Sequence, residues 1–145
     1  MSLKLLLAPL ALVAGVAVAT QAASNSGLRS FTGLGPALVI NTAIVLIAAI
    51  ALWLGLGAKT NFFPAGAPWT FYIGGICGFV IIAIMAVTFP TLGAAWAISI
   101  MVLGQCVAAL VIDHYGLLGM PQETVTLKRA LGVALVAAGV FVLRW

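Results

Sequence analysis

Long apolar runs, separated by short turn-rich segments, follow one another through the whole chain. Five of them qualify as membrane-spanning segments, for which about 20 mostly apolar residues are needed: 3–23, 35–57, 69–89, 92–115 and 127–143. Helix is the expected form, because lipid offers no partners to exposed backbone groups. The short alternating segments of membrane β-strands do not occur. The pattern therefore predicts an all-α integral membrane protein, with residues 1–145 forming a single transmembrane domain of five helices.

Proline and glycine mark the predicted ends of these helices. Pro36 suits the first turn of the second helix, where a missing N–H costs little. The segment FPTLG (89–93) predicts a tight reversal in which Pro90 ends one helix and permits the next to begin. The segment GLLGMPQET (116–124) is a more polar connection between the last two helices.

The N-terminal segment MSLKLLLAPLALVAGVAVATQAAS has two readings. A lone basic residue, an apolar run and small residues at 20–23 are also features of a secretory signal peptide. We interpret the segment as the first membrane span.

Composition makes the bilayer the natural solvent of this chain. Hydrophobic residues make up 65% and charged residues 6%, whereas about a quarter of a soluble domain is charged. The net charge of +4 is scattered, without a basic cluster, which excludes nucleic acid as an expected partner. Cys77 and Cys106 lie inside apolar runs and are expected to be reduced, packed thiols. No zinc spacing, nucleophile–base pair or phosphate loop stands out, so we expect no enzyme, metal or cofactor.

The basic residues are nearly balanced between the two sides of the membrane. With five spans, the N-terminal side carries Lys4, Lys59, Lys128 and Arg129, and the other side carries Arg29 and Arg144. The positive-inside rule weakly favours a cytoplasmic N-terminus. Four basic residues against two is a narrow margin. It is compatible with insertion in both orientations and pairing of inverted copies. It is equally compatible with a small protein that simply has few charges.

Polar residues inside the apolar segments are the candidate functional residues. Gln21, Asn25 and Arg29 are spaced by four and share a helix face if the first helix continues past 23. Intramembrane polar groups usually face a bundle interior or a wet cavity, so this row predicts a cavity lining. Asn41 and Gln105 fit either contact with a substrate or interhelical hydrogen bonds.

Asp113 and His114 close the fourth apolar run, where the helix dipole disfavours a carboxylate. Three explanations remain open at this point. Asp113 pairs with Lys128 or Arg129 at the start of the fifth segment; or Asp113 and His114 carry a proton or meet a cationic substrate; or Asp113 meets Arg29 of an inverted second copy.

Small residues indicate where helices pack closely. Gly74 and Gly78 form a Gly-x-x-x-Gly spacing in the third segment. Gly132 and Gly139 lie seven apart in the fifth, on a face that Leu135 and Val136 interrupt. Either pair could seat another helix, including one from a second subunit.

Three stretches resemble the YdcZ-type branch of the drug/metabolite transporter superfamily: QAASNSGLRSFTGLGPALVINT (21–42), GQCVAALVIDHYGLLGMP (104–121) and LKRALGVALVAAGVFVL (127–143). The resemblance implies a multi-pass protein of the bacterial inner membrane. It also implies half of a ten-helix inverted-repeat transporter, working as a dimer with itself or with a paired homologue. The last stretch is similar to the dimerising helix of small multidrug resistance proteins. Those proteins exchange protons through a glutamate in their first helix, and this chain has no acid there.

Two functions follow. The first is a small-solute transporter, in which two inverted copies enclose a cavity lined by Gln21, Asn25, Asn41 and Gln105. In this reading Asp113, His114 and Arg29 gate a mouth of the cavity or form charge pairs. Alternating access would come from rocking around a central site. The alternative is a non-transporting membrane subunit with an assembly or regulatory role.

Overall fold

The computed structural model describes residues 3–57, 66 and 68–144, with side chains at 7, 9–57, 66 and 68–144. All regular structure within these residues is helical, which confirms the all-α prediction for this part of the chain. The helices are α1 (Leu3–Thr32), α2 (Leu34–Gly55), α3 (Ile73–Leu92), α4 (Ala94–Tyr115) and α5 (Leu127–Val142), with 3₁₀ turns at Trp69–Tyr72 and Leu117–Gly119.

Three of the described helical segments are long and apolar enough to cross a membrane, namely Leu34–Gly55, Trp69–Leu92 and Ala94–Tyr115. The α5 helix has 16 residues. At 1.5 Å per residue it is about 24 Å long, which is shorter than the about 30 Å hydrocarbon core. The assignment of α1 and α5 as further spans stays a prediction.

The first helix continues to Thr32 instead of ending at 23. Hydroxyl groups in its last turns are satisfied within the helix: Ser30 donates to the Gly27 carbonyl at 2.6 Å, and Thr32 to the Leu28 carbonyl at 3.0 Å. The helix ends where Gly33 takes a φ of 83°, a left-handed conformation that glycine adopts without steric cost. The polar residues after 23 are thus helical.

The prediction that Pro90 ends a helix is wrong. Pro90 lies inside α3, which continues to Leu92. Proline supplies no N–H to the carbonyl four residues earlier, but the Arg29 guanidinium donates to that carbonyl, on Ala86, at 3.3 Å. The chain leaves the helix at Gly93, whose φ is 78°.

The chain forms two compact units, Met1–Pro90 and Thr91–Trp145. In the first unit, α1 packs against α2. Its buried residues are Ala22, Asn25, Ala37, Met85, Ala86 and Phe89. In the second unit, α4 packs against α5, and Ala97 is buried. Most large apolar side chains are exposed in the isolated chain, as expected of helices that meet lipid or further helices.

Candidate functional site

The polar row of α1 divides into three environments. Gln21 is exposed, Asn25 is only 6% exposed, and Arg29 is half-buried with its guanidinium on the Ala86 carbonyl of α3. The three residues therefore lie in different environments within this chain, and their role as a cavity lining stays a prediction. The middle residue is packed, and the last residue reaches another helix.

Asn41 lies on α2 and belongs to the lining of a cavity between α2 and α3. The Nδ2 atom is buried and has no hydrogen-bond partner among the described residues. The cavity has a volume of about 370 Å³, and its lining includes Asn41 and Val45 from α2 and Gly75, Phe79 and Ile82 from α3. An unpaired buried donor costs about 1–3 kcal/mol, so an acceptor for this amide is expected outside the described residues.

A second cavity, of about 560 Å³, continues along the same two helices. Thr42, Leu46 and Phe79 line both cavities, so the two cavities adjoin. The lining of the second cavity is almost entirely apolar, and it includes Gly35 and Leu38. Phe79 carries no signal in the sequence, because it is one apolar residue within an apolar run.

At the other candidate site, Arg129 contacts both acidic residues of the chain. Its guanidinium lies 3.4 Å from Asp113 Oδ2 and also pairs with the Glu123 carboxylate. The chain contains two acidic residues in all, so both of its acidic side chains meet at this arginine. Asp113 and Arg129 are each about one-third exposed. Glu123 was not singled out in the sequence, because it lies in the polar connection after α4.

The segment after α4 folds back over the end of that helix. The Glu123 N–H donates to the Asp113 carbonyl at 2.8 Å, and the Gln122 side chain donates to the His114 carbonyl at 3.1 Å. The Val125 N–H donates to His114 Nδ1 at 3.3 Å. Carbonyls at a helix end lack intrahelical partners, so this segment caps α4. Asp113 and His114 thereby join the end of α4 to the beginning of α5.

The α4–α5 pair is held at both ends and open between them. At the end opposite Asp113, the Arg144 guanidinium lies 5.8 Å from the ring centroid of Trp96, within range of a cation–π interaction. Between the two ends lie a cavity of about 320 Å³ that includes Gly132 and one of about 250 Å³ that includes Gly139. Val136 lines both cavities.

None of the four candidate packing glycines makes a close intrachain approach within the described residues. A Cβ atom added at Gly74, Gly78, Gly132 or Gly139 would meet nothing within 4 Å. Any contact that requires their small size must therefore come from outside the described chain. Gln105 is exposed on α4, while Cys106 beside it lines the same cavity as Gly132.

The family model described as "Putative inner membrane exporter, YdcZ", of the drug/metabolite transporter type, matches residues 6–142. The chain belongs to this family. No curated protein and no solved structure matches the chain.

Membership in the YdcZ family and the three long apolar helices make this a multi-pass protein of the inner membrane. The resemblance seen in the sequence is therefore confirmed. Every candidate residue discussed above lies within the matched range, apart from Arg144. Within the described residues, no group of three or more His, Cys, Asp or Glu could hold a metal ion.

Proposed function

We propose that the protein is a small-solute transporter, working as an inverted dimer by alternating access. Its solute site includes the side chains of Gln21, Asn25, Asn41 and Gln105. Membership in an exporter family supports the class of function. The amides are neutral, which favours an uncharged polar or amphipathic solute over a permanently charged one.

The observation that carries this proposal is the state of the Asn41 amide. Asn41 lines a cavity, and its Nδ2 atom is buried without a partner in the part of the chain that the structure describes. Polar groups within a membrane are costly and are retained where they serve a pathway or a site. An amide that only joined the described helices to one another would use its donor among them.

The exposed face of α5 supports an inverted dimer. Gly132, Leu135, Gly139 and Val142 recur at spacings of three and four and form one stripe. The glycines leave open space, whereas Leu135 is 74% and Val142 71% exposed. In an antiparallel pair centred at position 137, Gly132 lies opposite Val142 of the second copy and Gly139 opposite its Leu135. A parallel pair would instead place glycine against glycine and leave holes, which close packing disfavours.

Thiol accessibility in reconstituted membranes tests the solute site. Asn25→Cys, Gln105→Cys and a control, Leu12→Cys, are each placed in a background with Cys77→Ser and Cys106→Ser. Leu12 is 74% exposed in the isolated chain, against 6% for Asn25. We expect a water-soluble reagent to modify Asn25→Cys and Gln105→Cys from at least one side, because a cavity admits water. Leu12→Cys should stay protected, because lipid covers it.

Complete protection of both test positions, in folded protein, would overturn the transporter proposal. It would favour the alternative function, a non-transporting membrane subunit with an assembly or regulatory role, whose amides are packed dry between neighbours.

Disulfide trapping tests the antiparallel arrangement in the same cysteine-free background. A chain with Gly132→Cys and a chain with Val142→Cys should cross-link when they are expressed together. Val142→Cys expressed alone should not cross-link, because its antiparallel partner position is 132. Efficient self-cross-linking of Val142→Cys would indicate a parallel pair instead. A reporter fused after Trp145 should signal on both sides of the membrane if one gene supplies both orientations, and on one side if the inverted partner is a homologue.

A further inference from the structure

Hydrogen bonds hold the connection between α4 and α5 to the end of α4, and one of them has a titratable acceptor. The Glu123 N–H and the Gln122 side chain donate to main-chain carbonyls of α4, at 2.8 and 3.1 Å. The Val125 N–H instead donates to the Nδ1 atom of His114 at 3.3 Å. A carbonyl oxygen keeps its lone pairs at any physiological pH, whereas an imidazole nitrogen accepts only while it carries no proton.

The contact with Val125 determines where the His114 ring carries its proton. In a neutral imidazole, one nitrogen carries the proton and the other accepts a hydrogen bond. Because Nδ1 accepts from Val125, the proton of the neutral ring lies on Nε2. The ring also makes an edge-to-face contact with Tyr115, with ring centroids 4.7 Å apart and planes at 80°. A second proton therefore competes with the Val125 N–H for the same atom, Nδ1.

We propose that His114 is a pH sensor, whose protonation at Nδ1 breaks the contact with Val125 and releases residues 124–126 from the end of α4. The protonated ring has two N–H groups and no acceptor, so the Val125 N–H would face another donor. Val125 is 43% exposed, which lets water take the place of the lost acceptor. The released residues lead directly into α5, because Thr126 is the N-cap of that helix.

The release is local, because the neighbouring contacts have acceptors that do not titrate near neutral pH. The Glu123 N–H and the Gln122 side chain still reach main-chain carbonyls when His114 is protonated. On the other side of the released residues, Arg129 still pairs with the carboxylates of α4 and of the connection. The change therefore falls on the Val125 amide, and the Glu123 amide serves as an internal reference.

Other ionisable groups lie at this end of the α4–α5 pair. The 3₁₀ turn that packs against α4 has none; the groups are Asp113 and Tyr115 beside His114, Glu123 in the connection, and Lys128 and Arg129 at the start of α5. Carboxylates ordinarily titrate at about pH 4, and tyrosine, lysine and arginine at about pH 10 or above. Histidine is the side chain that ordinarily changes its charge between about pH 5 and 8, and His114 is half-buried, within reach of protons from water.

The use of this sensor in transport rests on the proposed function. In an inverted pair, the connection of one copy lies on the opposite side of the membrane from that of the other copy. Each His114 then meets the pH of a different compartment, and a pH difference releases the connection of one copy alone. The sensor itself belongs to one chain, so its test requires neither transport nor a second copy.

Nuclear magnetic resonance of the full chain in detergent micelles tests the sensor. The chain has one histidine, so its ring nitrogens are identified without further assignment. At about pH 8 we expect a proton on Nε2 and none on Nδ1, and at about pH 5 a proton on both. Over this range the protection of the Val125 amide against hydrogen exchange, relative to the intrinsic rate at each pH, should fall about three- to tenfold, which corresponds to one hydrogen bond. The Glu123 amide should keep its protection.

Two variants separate the acceptor from its titration. His114→Asn places a carbonyl oxygen, which does not titrate, close to the position of Nδ1, so Val125 should stay protected at both pH values. His114→Phe removes the acceptor but keeps an aromatic ring beside Tyr115, so Val125 should lack protection at both. Lys128→Gln is the control, because it changes the charge at an exposed position nearby and leaves the ring intact. It should keep the pH-dependent loss.

Three results would overturn the proposal: a proton on Nδ1 at about pH 8, protection of Val125 that is unchanged while the ring takes up its second proton, or a pH-dependent loss that survives His114→Asn. If the exchange results are as expected but transport in proteoliposomes has the same pH dependence in the unsubstituted protein and both His114 variants, the sensor stands and its use in transport is wrong. If no solute is transported at all, only the transport function fails.

Discussion

The Arg29 guanidinium donates to the main-chain carbonyl of Ala86 at 3.3 Å. In an uninterrupted helix this carbonyl would accept from the N–H of residue 90, and residue 90 is a proline. A side chain on α1 thus satisfies the backbone group that the proline leaves open on α3. The contact explains how α3 continues through Pro90 to Leu92.

This relationship predicts a coupling between Arg29 and Pro90. Arg29→Leu should lower the free energy of unfolding by about 1 kcal/mol or more, because it leaves a buried carbonyl unpaired. In a Pro90→Ala background the same substitution should cost less, because the introduced alanine supplies an N–H to the Ala86 carbonyl. Unfolding of the four proteins in detergent completes the double-mutant cycle. Equal costs in both backgrounds would show that Arg29 acts elsewhere.

A second prediction concerns the two carboxylates at Arg129. Arg129→Gln should destabilise the protein, because Asp113 and Glu123 then face each other without a cation. Partly exposed ion pairs contribute about 0.2–1 kcal/mol each, so we expect a loss of about 1 kcal/mol that shrinks as salt is added. Lys128→Gln removes the same charge from an exposed neighbouring position and is the control. A matching loss in that variant would indicate a general effect of charge.

A third prediction separates a structural from a proton-carrying role for Asp113. If Asp113 only holds α4 to α5, Asp113→Asn should lower the unfolding temperature and leave the pH dependence of transport unchanged. The contact with Arg129 and the capping of α4 favour this outcome. Normal stability with loss of pH-dependent transport would instead assign Asp113 a role in proton coupling. Transport is measured in proteoliposomes at several external pH values.

A fourth prediction concerns Gly93 and Gly104, where substitution by alanine should change the free energy of unfolding in opposite directions. Gly93 has a φ of 78°, so Gly93→Ala should destabilise the protein by about 1 kcal/mol or more, because alanine is strained in that region. Gly104 lies within α4 with open space around it, so Gly104→Ala should be neutral or stabilising by up to about 1 kcal/mol through helix propensity. A loss of similar size at Gly104 would mean that another chain approaches it closely.

The apolar runs were sufficient to predict the helices, because a run of that length has few alternatives in lipid. The ends of α1 and α3 were not predictable in the same way. The rule that proline ends a helix is local, and at Pro90 it is overcome by a donor that is distant in sequence. The two single-residue connections, Gly33 and Gly93, depend on backbone angles that many of the chain's other glycines do not adopt.

The candidate residues were predictable only in part, because some of them stand out from the sequence around them and others do not. A charge in an apolar run is conspicuous, so the sequence predicts Lys128 or Arg129 as a partner of Asp113, and the structure places Arg129 in contact with it. Glu123 carries no such signal, because a charge in a polar connection is ordinary. Phe79 carries no signal in the sequence, because only the structure shows that it lines both cavities between α2 and α3. The roles of the amides in transport stay predictions.

Gly33 has a consequence for how the length of this chain can vary. One residue joins α1 to α2, so no further residue can take up a change of length at this joint. Inserting a residue there would change how α2 is placed against α1, although no side chain had been altered. We therefore expect the spacing of this joint to be held constant more strictly than the identity of the apolar residues on either side of it.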